Sequence, residues 1–275
     1  MTDDRNITSL LLNQTFKVFR SNTTLSPTTT KLSHRQLEKF RISLCKYLYR
    51  KYRESLKYNE ELIIQYQTYR DIITDVTILN GTIDKSDNRI QYLILKSSNK
   101  TLLSRQVIIF VSSTTSSDES SLVLNKTTNQ PDVNNYIIDL LEDINDIPLL
   151  IKPFSFPTEF IPNLINQLSS QVEKVGDLQL VYSPPLTNST LRNFIIDIPK
   201  EDLPKLFKEN LYNDICEFLF NVSKVKFDKV KVDRFKCSLV NVSNDGKFKL
   251  NDDLQEDLVW YLIESIRSEG NSNTL

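Results

Sequence analysis

The chain of 275 residues carries one histidine, four glycines, three cysteines and no alanine, with 34 basic against 35 acidic side chains. A Ser-His-Asp or Cys-His relay would have to run through His34, and a His/Cys zinc site would have to gather nearly all such residues from His34 to Cys237. Gly81, Gly176, Gly246 and Gly270 stand too far apart to build a phosphate-cradling turn, which disfavours P-loop and Rossmann nucleotide sites, and the balanced charge provides no overall field toward nucleic acid or membrane.

The start, Met1-Thr2-Asp3-Asp4-Arg5, is acidic, and Leu10-Leu11-Leu12 is too short for a signal-peptide core. No apolar run approaches the length that spans a bilayer. A short strand is predicted over Thr15 to Phe19, followed by a polar loop over Ser21 to Thr30. Ser33 with Gln36 then reads as a capping box, with His34 beside the cap in a structural or merely exposed role. Leu37, Phe40, Leu44, Tyr47, Leu48 and Tyr52 recur at three- and four-residue steps, which predicts a helix with one apolar stripe. Its polar side is basic: Lys31, Arg35, Lys39, Arg41, Lys46, Arg50, Lys51, Arg53 and Lys57 face only Glu38 and Glu54. Two readings stand, a surface for phosphates or an acidic partner and an ordinary solvated helix face.

From Leu62 the period changes to that of strands. Leu62 to Tyr69, Ile72 to Leu79, Ile90 to Leu95 and Val107 to Val111 are rich in β-branched and aromatic residues, with Asn80-Gly81 and Asp87-Asn88 as turn formers. The tract from Ser112 to Ser121 is polar and low in complexity, a long loop or boundary and a phosphorylation target.

The second half opens with a helix near Val133 to Ile144 and a short strand within Ile147 to Pro153. A helix over Thr158 to Ser169 follows, with strands at Leu178 to Tyr182 and Leu191 to Ile198. Pro199 closes the latter, and an amphipathic helix runs from Lys200 or Leu203 to Phe220. Val225 to Phe227, Val230 to Val242 and Lys247 to Leu250 read as strands, with Asn244-Asp245-Gly246 turning the last hairpin, and Leu254 to Ile266 as a closing helix. The expected fold is α+β: a mostly antiparallel twisted sheet flanked by helices, in two sub-domains packed as one globular unit. The first covers 1–111, a polar loop covers 112–131, and the second covers 132–270.

Cys45, Cys216 and Cys237 have no metal-ligand spacing and sit among apolar neighbours, the pattern of reduced buried thiols in a cytosolic or nuclear protein. Asp252-Asp253 with Glu256-Asp257 stand where acids favour a helix N-terminus rather than where a cation is held. No catalytic set, metal site or cofactor site emerges. The alternating segment Lys224 to Phe235 reads either as a half-buried strand or as an edge open to a partner's sheet.

Three stretches of the second half resemble the centromere protein L family. Pro148-Leu149-Leu150-Ile151-Lys152-Pro153 is similar to that family's Pro-Leu-Leu-Leu stretch before a helix. Phe194-Ile195-Ile196-Asp197-Ile198-Pro199-Lys200-Glu201-Asp202-Leu203, followed by Phe207, resembles its strand-proline-helix element, and Phe235 to Leu250 resembles its late hairpin. Upstream, Leu12 to Arg20 with Ser26-Pro27 resembles its opening strand. The resemblance implies a non-enzymatic inner-kinetochore subunit, located in the nucleus at the centromere, with roles in chromosome segregation and meiosis. It implies a heterodimer with a centromere protein N-like subunit formed partly by joining sheets, self-association in some members, and contacts with other inner-kinetochore subunits and, directly or indirectly, centromeric chromatin. Placed on this sequence, the candidate partner strands carry Phe235, Cys237, Leu239, Val240, Val242, Phe248 and Leu250. The candidate chromatin or acidic-partner contact is Lys39, Lys46, Arg50, Lys51 and Arg53. The second reading is a DNA-binding protein that acts through residues 31–57.

Overall fold

Alternating β-branched and aromatic runs form antiparallel ladders flanked by helices, so the fold is α+β. The computed structural model describes residues 7–23, 32–58, 76–85, 87–97, 99–114, 120–144, 149–183 and 193–269. The chain divides into two units, Lys17–Pro153 and Met1–Phe16 with Phe154–Leu275.

In the unit Lys17–Pro153, strands β2 (Thr77–Lys85), β3 (Asn88–Lys96), β4 (Gln106–Ser113) and β5 (Ser121–Lys126) pair in sequence order. Most of β1 (Thr15–Ser21) belongs here, and it pairs with β6 (Ile151–Pro153) through Phe19↔Pro153 and Ser21↔Ile151. Helices α2 (His34–Tyr58) and α3 (Pro131–Ile144) supply Phe40, Leu44, Leu48, Val133, Ile137 and Leu141 to a core shared with Leu93, Ile108 and Phe110. The capping box at the start of α2 forms as the sequence predicts: Gln36 N donates to Ser33 Oγ at 3.3 Å and Ser33 N donates to Gln36 Oε1 at 2.9 Å. Tyr47 of α2 stacks on Tyr136 of α3 at a centroid separation of 3.9 Å. Gln130 ties the start of α3 to the loop before β4, donating to Thr101 O at 2.9 Å and accepting from Ser104 N at 3.1 Å.

The other unit contains a five-stranded ladder in the order β11 (Lys247–Leu250), β10 (Val240–Ser243), β9 (Val232–Lys236), β7 (Leu178–Tyr182) and β8 (Phe194–Ile198). Its first helix is α1 (Ile7–Leu11), and α4 (Phe160–Gln167) packs against β9. Helix α6 (Leu211–Ser223) packs on α4, and α7 (Glu256–Glu269) buries Val259, Leu262, Ile263 and Ile266. Between α4 and α6 lie a 3₁₀ segment, Leu168–Lys174, and the one-turn helix α5 (Leu203–Leu206). Phe235, Val242, Phe248 and Leu180 point inward and are fully or almost fully buried, with Phe16 stacked on Phe248 at 5.9 Å.

Several elements differ from the sequence expectation. The single strand expected over Val230 to Val242 is two strands, because Cys237 N donates to Val240 O and Ser238 is held by Val175 O, which turns the chain between β9 and β10. The helix expected up to Phe220 breaks at Phe207. There the Asp214 carboxylate accepts N–H donors from Lys208, Glu209 and Asn210 and starts α6 afresh. Burial opposes that charge, yet the three donors hold the carboxyl below its ordinary pKa. The polar region 112–131 is not all loop, since it contains β5 and the end of β4. Val225 to Phe227 is not a strand either; Phe227–Lys229 is a 3₁₀ turn. The strands read at Leu62 to Tyr69 and at 72–75 lie outside the described residues.

Asn80-Gly81 does not turn the chain but sits inside β2, where Gly81 pairs with Tyr92. A Cβ added at Gly81 would run into the Tyr92 ring and hydroxyl, so the glycine is retained for close approach of an aromatic ring. Gly81→Ala should therefore destabilise the protein by about 1–3 kcal/mol. In a Tyr92→Ala background the same change should cost less than about 0.5 kcal/mol. Thermal melting followed by circular dichroism reads both legs of this cycle, and an equal cost in both backgrounds would refute the steric account.

Candidate interaction surfaces

The expected partner strands lie inside the molecule. Phe235, Cys237, Leu239, Val240, Val242, Phe248 and Leu250 are all buried. Their strands have neighbours on both sides: β9 lies between β10 and β7, β10 between β11 and β9, and the outer side of β11 is met by Leu12 and by Asn13 N, which donates to Leu250 O at 2.7 Å. The hairpin itself forms as predicted, with Gly246 at φ 83° in its turn, but these seven side chains are core.

Within this unit the strand with one open side among the described residues is β8. It pairs with β7 alone, from Tyr182↔Phe194 to Leu178↔Ile198. Ile195 is 60% exposed and Phe194 37%, although neither is polar. Phe194 meets Phe227 edge-on at 6.3 Å, and Phe227 in turn packs on Tyr182 at 5.0 Å. Just before Phe227, the end of α6 and the residues after it leave Phe218, Phe220, Val222 and Val225 exposed. Lys224, left-handed at φ 62°, ends the helix there. Helical periodicity over Leu203 to Phe220 places Phe218 on the inward side, but in the shorter α6 it is exposed.

The basic helix is placed as expected. Lys39, Lys46, Arg50, Lys51 and Arg53 are exposed on α2. Lys51 stands apart, bonded to Asp132 at 3.1 Å; desolvation works against its charge, but the carboxylate prevails and raises its pKa. At roughly 100° per residue, Arg35, Lys39, Lys46, Arg50 and Arg53 fall within an arc of about 60°. None of these five forms an ion pair among the described residues. Arg41, on another side of the helix, bonds Glu38 at 2.9 Å. His34 is exposed in the first turn of α2.

The remaining polar surface is the open face of the ladder that contains β9. Cross-strand pairs align Asp197, Gln179, Lys236, Asn241 and Lys249 in one row, with Arg234, Ser243 and Lys247 in the next. A groove of about 590 Å³ runs over this face, lined in part by Arg234, Asn241, Ser243, Lys247 and Lys249.

Among the described residues no group of three or more His, Cys, Asp or Glu residues could hold a metal ion, and no helix is long and apolar enough to cross a membrane. Cys45, Cys216 and Cys237 are free and buried. Burial pushes the Cys216 and Cys237 thiols up, and the Tyr182 and Tyr212 phenols beside Cys216 as well. Thiol titration with a chromogenic disulfide should therefore show no fast-reacting group in the native protein and full reaction only in denaturant. A thiol that reacts at the rate of free cysteine would contradict this placement. No protein-family model matches the chain, and no curated protein matches it.

Proposed function

We propose that this chain is a non-enzymatic inner-kinetochore subunit that pairs with a centromere protein N-like partner by extending its sheet at β8. The observation that carries the reading is an edge strand whose exposed residues Phe194 and Ile195 are apolar, with Asp197 its one exposed charge. A lone edge is ordinarily blunted by charge or proline, because free N–H and C=O groups invite strand addition. Phe194, Ile195 and Ile196 at β8 do the opposite, and Phe194 to Leu203 is also a stretch that resembles the centromere protein L family. The exposed end of α6 extends the apolar surface next to Phe227. In this reading the partner's strand lies along β8, and its apolar side chains cover Phe194 and Ile195.

Co-expression with a centromere protein N-like subunit tests the reading. Ile195→Glu places a charge on an already exposed position, so the monomer should melt within a few degrees of the parent while co-purification is lost. Val240→Ala, a core change in the hairpin, should lower stability yet leave pairing intact in the folded fraction. Pairing that survives Ile195→Glu in a folded protein would move the interface away from β8.

A second reading, direct DNA contact, is favoured by one specific observation: Arg35, Lys39, Lys46, Arg50 and Arg53 form a track about 27 Å long, by 1.5 Å per residue, in which none of the five forms an ion pair among the described residues, with Asp143 of α3 beside Lys39. Phosphate contacts predict binding that falls with salt by about 0.9 log per contact. Replacing Lys46, Arg50 and Arg53 with Gln keeps helix propensity and should reduce that slope by about 2–3. An unchanged slope, measured by fluorescence anisotropy with duplex DNA, would remove this reading.

A further inference from the structure

The ladder that contains β9 is helix-covered on one face, by α4 and the helices packed on it, and over β9, β10 and β11 its other face is polar, while β7 and β8 add Val181 and Ile195 to that face. On the polar face Arg234 and Lys236 of β9, and Lys247 and Lys249 of β11, flank Asn241 and Ser243 of the intervening strand. Residues two apart on one strand are about 6.8 Å apart, and strands separated by one neighbour lie about 9.6 Å apart. The four cations thus mark the corners of a small rectangle with an amide and a hydroxyl at its centre. Lys247 is engaged by Asp245 at 2.5 Å, whereas Arg234, Lys236 and Lys249 have no acidic partner among the described residues.

The patch is bounded. Asp197 closes one end of the Lys236 row, held there by Gln179 Nε2 at 2.7 Å, and Asp233 and Asp245 line the groove beside Arg234 and Lys247. A nucleic-acid backbone needs a continuous positive path and would meet these carboxylates on leaving the rectangle. A short peptide with one or two anionic side chains fits within it. Its charges reach the corner cations, and its backbone lies over Asn241, whose amide can donate and accept, and over Ser243, whose hydroxyl donates to Asp245 and is left to accept.

We propose that the open face of β9, β10 and β11 binds a short acidic peptide segment, through carboxylate or phosphoserine groups, at Arg234, Lys236 and Lys249. The nearest of these cations lie two strands from the β8 edge, across β7, and their occupancy does not require the pairing proposed there. The full chain is titrated by fluorescence anisotropy with a labelled peptide alternating Ser and Glu, with its Ser-Gln counterpart, and with the Ser-Gln peptide phosphorylated on serine. At least one anionic peptide should bind and the neutral one should not, and the tighter of the two anionic forms identifies the source of the charge. The double variant Arg234→Gln, Lys249→Gln should weaken binding about tenfold or more, while Lys249→Arg retains it. Both changes are on exposed or half-exposed positions, and the double variant should keep the parent's melting temperature and its pairing through β8. The proposal fails if neither anionic peptide binds, if the neutral peptide binds as well, or if the double variant binds unchanged. Displacement of the peptide by duplex DNA would assign the face to nucleic acid instead and overturn it equally.

Discussion

One extra residue sets the faces of the ladder on which two of the three surfaces depend. Between β7 and β9 the register shifts: Tyr182 pairs with Val232, but Val181 pairs with Arg234, so Asp233 is unmatched and bulges out of β9. Without the bulge, strict alternation would turn either Val232 or Phe235 outward, since the two are separated by an odd number of steps. With it, both are buried. Arg234 and Lys236 consequently share the open face with Asn241, Ser243, Lys247 and Lys249, and Asp233 is left at the margin of the groove. The same phase carries through β7 into β8, where it sets Ile195 and Asp197 on the open face and Ile198 in the core.

That phase break was visible in the sequence, since Val230, Val232, Phe235 and Cys237 are apolar at steps of two, three and two. Reading the segment as one strand lost it, because periodicity reports which residues are buried but not where the ladder accommodates an extra one. Elements with strong periodicity and explicit caps were legible: α2 with Ser33 and Gln36, β7 from Leu178 to Tyr182, and the hairpin turned at Gly246. Those that failed were decided by contacts distant in sequence. Gly81 has the composition of a turn residue, yet it lies in β2 because the Tyr92 ring needs its missing side chain. β5, Ser121–Lys126, follows a serine tract, and its apolar run is too short to distinguish from loop without the partner strand β4.

The candidate site was legible by residue type more than by place. Exposed cations along α2 follow from helical spacing, and the structure sets them where that spacing predicts. The hairpin residues were assigned to an edge because strand order is not encoded in local sequence, and in the folded unit they are core. The two electropositive surfaces also differ in form. On α2 the cations repeat along one line, which suits an extended polyanion. On β9 and β11 they enclose a space limited by Asp197, Asp233 and Asp245, which suits a ligand with few charges. Net charge of −1 conceals both, because 35 acidic side chains offset 34 basic ones over the chain as a whole.

The chain's two terminal strands among the described residues make the case for β8 by contrast. β2 ends the ladder in its own unit and exposes Thr77, Leu79 and Asp84, with Ile78, Asn80, Thr82, Ile83 and Lys85 half-exposed. Polar positions interrupt that apolar set, and its charged end, Asp84 and Lys85, discourages addition. β8 is only five residues long, and its exposed centre is apolar, with Asp197 the sole charge. Shortness limits how many backbone bonds a second strand can gain, so the apolar side chains must supply much of the affinity, and Phe194 is positioned to do so by its contact with Phe227. An edge of this kind favours a partner with its own apolar side chains over an indiscriminate strand, which is the selectivity that a stable subunit pair requires.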